Sequence, residues 1–150
     1  MGVEIRAFEA RDLARFAYTL RDMDAAEVFL SHGGNAFDVL RTSSAASSRC
    51  FVAEVRSTPL AAFGVAPVAP GIGSVWLLGT VAVERFWVGF LRSCRDVLPR
   101  LVAGFSYVEN HVWAEYRKAL AWARWLGFTV EPAEPWGVAG APFHRIWMEA

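Results

Sequence analysis

The sequence predicts an α/β (α+β) domain, a mixed, mainly antiparallel sheet of about seven strands with helices on both faces. Three observations predict it. Short apolar runs recur between Gly/Pro-rich turns across residues 50–80, which reads as consecutive hairpins. Later strand-like runs are separated by stretches of helical period, which reads as strands lying parallel. Finally, Trp113–Phe128 (WAEYRKALAWARWLGF) runs fourteen residues without Pro or Gly before Gly127-Phe128, so a helix feeds directly into a strand.

In chain order, Val3–Phe8 alternates and predicts a first strand, and Glu9–Asp12 opens a helix through about Arg21. Asp24–Ser31 is a second helical piece, broken by Gly33-Gly34, and Asn35 caps a third through Arg41. Thr42–Ser48 reads as a polar turn or a frayed helix end. Cys50–Arg56 and Leu60–Val68 form a hairpin, and Pro70–Gly73 turns into a strand at Ser74–Thr80. Glu84–Leu98 is amphipathic, with Phe86, Trp87, Phe90, Leu91, Cys94, Val97 and Leu98 on one broad face, and Pro99 is expected to end it. Ala103–Val112 predicts a strand before the Trp113–Phe128 helix, whose apolar face is Tyr116, Ala119, Leu120, Ala123 and Leu126. Trp122 and Trp125 lie outside that arc, so the helix needs neighbours on more than one side. The tail reads as a short strand (Phe128–Glu131), a Pro/Gly-rich loop (Pro132–Pro142) and a last strand (Phe143–Glu149).

The 150 residues suit one domain with a sizeable core, and 55% hydrophobic content excludes a disordered chain. Fifteen basic and fifteen acidic side chains cancel, giving no electrostatic case for nucleic acid or an anionic membrane as partner. Cys50 and Cys94 are too few for a disulfide framework and read as buried thiols in a reducing compartment. The acidic start holds no signal peptide, and the apolar stretch Pro59–Val83 is interrupted by Pro and Gly, so no membrane span is expected.

Several strings, taken in order, carry a resemblance: Ile5-Arg6 with Asp12, FGVAP (Phe63–Pro67), WLLGT (Trp76–Thr80), RWLGF (Arg124–Phe128) and AEPWGVAGAPFHR (Ala133–Arg145). Together they resemble the GNAT (N-acetyltransferase) fold, and more closely the small GNAT-like proteins of short-tailed bacteriophages, including internal virion proteins. The resemblance implies acetyl-CoA held in a splay between the fourth and fifth strands, on Leu78, Gly79 and Thr80 with Arg85 and Arg92. Its pyrophosphate would sit on backbone N–H groups at the next helix start. The family's Gln/Arg-x-x-Gly-x-Gly/Ala signature there is degraded. Arg85 to Gly89 is off by one, Val81 and Val83 crowd the turn, and Glu84 opposes phosphate. The family's general-acid Tyr, four residues before the helix-ending Gly, is Ala123 here, and its Asn, eleven before, is Tyr116. Tyr116 lies about 10 Å along the axis from the acid position.

Glu27 and Asp24 on the second helical piece, with Glu54 on a strand, are candidate general bases on the acceptor side, while their plainer reading is a solvated surface. Tyr116 is a third catalytic candidate. His111 and Glu115 are the one pair at helical ligand spacing, and they straddle a strand end, so no metal is expected. His144-Arg145 read as polar groups of an edge strand bonded to the preceding loop. Cys94 has no His beside it and is no nucleophile, and Gly71-Ile72-Gly73 precedes a strand, hence a turn. Trp87, Trp113, Trp122 and Trp125 belong to the core, and any left exposed would mark a docking surface. The resulting expectation is a virion-associated or interaction protein in the particle or the host cytoplasm. It would contact other phage proteins and require no cofactor. The alternative is an acetyl-CoA-dependent N-acetyltransferase acting on an amine.

Overall fold

The computed structural model describes residues 2–150. Strand β1 (Glu4–Ala7) leads through a 3-10 helix (Ala10–Phe16) to α1 (Asp22–His32) and α2 (Ala36–Ala46). Then come β2 (Arg49–Val55), β3 (Thr58–Ala69) and β4 (Ile72–Gly79). A second 3-10 helix (Val81–Phe86) runs into α3 (Trp87–Val102). The chain ends with β5 (Tyr107–Trp113), α4 (Arg117–Leu126), β6 (Thr129–Trp136) and β7 (Ala141–Glu149). The seven strands form one sheet in the order β1-β2-β3-β4-β5-β7-β6.

The sheet is mixed and mainly antiparallel, as predicted, with β4–β5 its parallel pair. Of the later strands expected to lie parallel, β5 does so against β4, and the rest of that expectation is corrected. β6 turns back as a hairpin, and β7 inserts between β5 and β6, antiparallel to both. Alternation along the strands sends Phe63, Val75 and Val108 towards α3 and α4, and Val52, Ala62 and Leu78 towards α1, α2 and Phe16. Hence helices cover both faces. Among the described residues, no helix is long and apolar enough to cross a membrane.

Element ends shift for identifiable reasons. The predicted helix from Glu9 to Arg21 is a 3-10 helix only to Phe16, because the Asp12 carboxylate is drawn inward by Arg6 and Arg15. Beyond it, residues 17–19 form a turn, and Leu20 bridges Thr80 before α1 begins. α2 continues to Ala46, so the Thr42–Ser48 stretch is largely helix, its hydroxyls bonding back to carbonyls (Thr42 to Asp38, Ser47 to Ser43). Pro99 does not end α3, which continues to Val102. Pro99 lies on the exposed side of the helix, while Leu101 and Val102 are buried and keep the last turn packed on the sheet. α4 begins at Arg117, not Trp113, and ends where predicted, Gly127 taking φ 106°. The expected loop Pro132–Pro142 is mostly strand. β6 is an edge strand, where Pro132 and Pro135 need no ladder partner, and a register shift between Val130 and Ala133 absorbs them. That places β7 inside the sheet, so His144 and Arg145 are not edge groups. His144 Nδ1 bonds the Glu131 carbonyl at 2.7 Å and Arg145 pairs with Glu109.

The β2–β3 turn holds Arg56 and Ser57 at φ 46° and 66°, a left-handed pair that favours glycine. Ser57→Gly is therefore expected to raise stability by about 0.5–1 kcal/mol. Denaturant unfolding checks this, and no gain would mean the turn carries no strain.

Candidate functional site in the splay between β4 and β5

Two parallel strands meet here only briefly. Pairing runs from Ile72↔Tyr107 to Ser74↔Glu109, after which the strands diverge. The gap opens on both faces of the sheet. Under α3 and α4 lies a mainly apolar cavity of about 120 Å³ lined by Phe63, Val75, Leu77, Trp122, Ala123 and others. On the α1/α2 face is a groove of about 510 Å³ walled by His32, Trp76, His111 and Trp136. Glu27, Trp76, Leu77 and Asn110 line both, so the two spaces meet at the splay. In the groove, His111 stacks on Trp136 at 4.1 Å and 5°, and burial lowers the His111 pKa.

Backbone alternation decides what β4 offers to the gap. The Thr80 N–H bonds the Leu60 carbonyl on β3, so Thr80, Leu78 and Trp76 face β3, and Gly79, Leu77 and Val75 face β5. Gly79 is already taken. Its carbonyl accepts the Arg21 N–H at 2.9 Å, and its N–H donates to the Asp24 carboxylate at 3.1 Å. The next amides are also spent. Val81 donates to the Thr19 carbonyl, Ala82 to Thr80 Oγ1 and Val83 to the Thr80 carbonyl. Among the described residues, every N–H from Gly79 to Val83 has a partner in the chain itself.

Side chains fill the remaining mouth. Arg21 is buried, its Nε on Asp24 at 2.8 Å and its Nη1 on Glu84 at 3.1 Å. Its guanidinium lies over the Tyr116 ring at 5.5 Å and near Trp87 at 5.9 Å. A Cβ at position 79 would sit 2.9 Å from that guanidinium, so glycine is what admits it. The Tyr116 hydroxyl donates to Asp24 at 3.1 Å, and burial raises its pKa well out of reach of a proton donor to thiolate. Lys118 clamps Glu84 from α4 and, with Arg21, holds its carboxyl below the usual range. Burial pushes the Asp24 carboxyl up, while Arg21, Gly79 and Tyr116 pull it back.

Glu27 is different. Its Oε2 accepts the Trp113 N–H at 3.0 Å, capping β5 as Asp24 caps β4, and burial raises its pKa to about 7. Asp24 is buried and Glu27, three residues on along α1, is half-buried against β5, so the plainer reading of a solvated helix face fails for both. Glu54 lies two strands from β4, paired with Arg6 and Arg15, whose hydrogen bonds lower its pKa. Leu78 is buried towards α1 and α2, and Thr80 spends its hydroxyl on Pro59 and Ala82. Arg85 and Arg92 are exposed and line neither cavity. Cys50 and Cys94 are free thiols, each pushed up to about 12 by burial. Among the described residues, no cluster of three metal-ligating side chains occurs. Arg21 and Lys118 carried no signal in the sequence, since an Arg ahead of a helix and a Lys in its first turn look like solvent-facing charges.

A diphosphate needs a turn with unspent amides and room for negative charge. From Gly79 to Val83 no amide is unspent, and the Glu84 carboxylate stands beside them. The group that this splay implies does not fit the residues present at its mouth.

No family model and no characterised protein matches the chain by sequence. Solved structures do match it along nearly its whole length. A GCN5-related N-acetyltransferase from Kribbella flavida superposes with a TM-score of 0.73 at 21% identity, covering 99% of this chain and 98% of that one. The spermidine N-acetyltransferase from Vibrio cholerae, solved with CoA and spermine, gives 0.65 at 19%, covering 98% and 95%. The ribosomal-protein-S18-alanine N-acetyltransferase from Escherichia coli gives 0.63 at 15%, covering 98% and 93%. With its seven-stranded sheet, its helices on both faces and its splay, the chain has the fold of the GCN5-related N-acetyltransferases.

Proposed function

We propose that this chain works as a docking protein on a GNAT scaffold, without acetyl transfer. It is a component of the short-tailed phage particle that its sequence resembles, and its partners are other phage proteins. The observation that carries this is the closed mouth: Gly79 to Val83 spend their amides within the chain, and Arg21 fills the space beside them. A cofactor would have to break the Arg21–Asp24 pair before reaching β4. Titration calorimetry with acetyl-CoA is the direct test. No heat up to millimolar ligand is expected, and micromolar binding would overturn the reading. Mass spectrometry of purified particles tests the location, and absence of the chain from them defeats the virion role.

One observation favours a second reading, an N-acetyltransferase acting on an amine of a small molecule or a protein. Glu27 stands where the two cavities meet, with a pKa of about 7, matched to taking a proton from an ammonium. That reading requires micromolar acetyl-CoA binding in the same titration, together with thiol release on adding amines that Glu27→Gln abolishes.

A further inference from the structure

The neutral total conceals a segregation of charge. The second 3-10 helix, α3 and α4 together carry seven basic side chains against two acidic ones, which leaves eight against thirteen for the rest of the chain. The two helices lie side by side on one face of the sheet. Trp87 meets Trp122 at 6.1 Å and Lys118 at 4.3 Å, and Arg95 covers part of Trp125 at 5.2 Å. At 100° per residue, Arg92 and Arg95 share the outer arc of α3, and Arg117 and Arg124 that of α4. All four are exposed. Among the described residues, Arg92, Arg117 and Arg124 pair with no carboxylate, and Arg95 has only Asp96 at 4.0 Å. Cations elsewhere are mostly matched, as Arg6, Arg15, Arg21 and Arg145 show. Glu84, the other acidic group of this layer, is already held by Arg21 and Lys118.

Amid these arginines Trp125 is 48% exposed. We infer that the outer surface of α3 and α4 binds single-stranded nucleic acid, the arginines neutralising phosphates and Trp125 stacking on a base. Guanidinium forks suit phosphate oxygens, and an indole offers every base a sequence-tolerant platform. An acidic protein surface would also match the arginines, but an indole flanked by unpaired guanidiniums fits the alternation of base and phosphate along a single strand. The surface lies outside the splay, so its test is independent of acetyl-CoA.

The experiment is fluorescence anisotropy of a labelled oligothymidylate with the full chain. With about four phosphate contacts, affinity is expected to fall roughly 50-fold between 50 and 200 mM salt. Arg92→Glu/Arg124→Glu should weaken binding at least tenfold, and Trp125→Ala about fivefold or more. Arg11→Glu/Arg41→Glu makes the same change in net charge on exposed groups away from this layer and should leave affinity within about twofold of wild type. No binding at 50 mM salt overturns the inference, as does equal weakening by both double variants. Full activity of Trp125→Ala, with polyglutamate competing as well as the oligonucleotide, reassigns the surface to an acidic protein and overturns it too.

Discussion

Asp24→Ala is expected to destabilise the protein by roughly 3–5 kcal/mol, the cost of removing one partner from a buried ion pair. Asp24 is 2% exposed and accepts from three donors, the Arg21 guanidinium, the Gly79 N–H and the Tyr116 hydroxyl. Alanine leaves all three without an acceptor in a space that water does not freely enter, and leaves the Arg21 charge balanced only by Glu84 from the rim. Thermal unfolding should register this as a fall of roughly 10 °C. The double replacement Arg21→Met/Asp24→Leu removes both charges and should recover the part of the loss due to the unpaired guanidinium, while the Gly79 N–H and Tyr116 hydroxyl still lack their acceptor. A loss below about 1 kcal/mol for Asp24→Ala would show that the network contributes little.

The second large effect belongs to Glu27 and depends on pH. Its folded pKa, about 7, lies above the ordinary 4.5, so the fold favours the protonated form. The stability this group contributes is fully present below about pH 4.5 and is lost as pH rises through 7. The whole span amounts to about 3 kcal/mol. Glu27→Gln keeps an acceptor for the Trp113 N–H and carries no charge at any pH. It should therefore be more stable than wild type by about 1–3 kcal/mol at pH 8, with the advantage shrinking towards pH 5. Asp12 and Glu54 act in the opposite sense, since hydrogen bonds from Arg6 lower their pKa values and their contribution is lost as pH falls. Both are common to variant and wild type, so the difference curve isolates Glu27. A difference that stays constant from pH 5 to 8 would mean that Glu27 titrates as an ordinary carboxyl.

Much of this architecture is written in local pattern. The hairpins of β2, β3 and β4 announce themselves by apolar runs between Pro and Gly, and Gly127 ends α4 because only glycine takes φ 106° without strain. What stayed hidden depends on contacts far along the chain. Trp113 belongs to β5 because it pairs with Phe143 on β7, and Glu27, 86 residues earlier, accepts its N–H. No window around Trp113 contains that information. β6 reads as a strand only to Glu131, because Pro132 and Pro135 suggest a loop beyond it, yet an edge position makes them tolerable. The site divides the same way. The crowded turn at Val81–Glu84 and the missing acid at Ala123 are visible in the residues themselves, whereas the burial of Arg21 follows only from Gly79, Asp24 and Tyr116 being brought together in space. Net charge misleads similarly, since a sum over the chain says nothing about which helices hold which sign.

The brief pairing of β4 with β5 has a mechanical consequence. The sheet is two leaves joined by a short seam, and beyond it nothing in the strands themselves holds the leaves at a fixed angle. α1 spans the opening like a strap, with Asp24 riveted to the end of one leaf and Glu27 to the end of the other. One helix thereby anchors the far ends of both leaves, and loss of either carboxylate would leave one leaf untied to it.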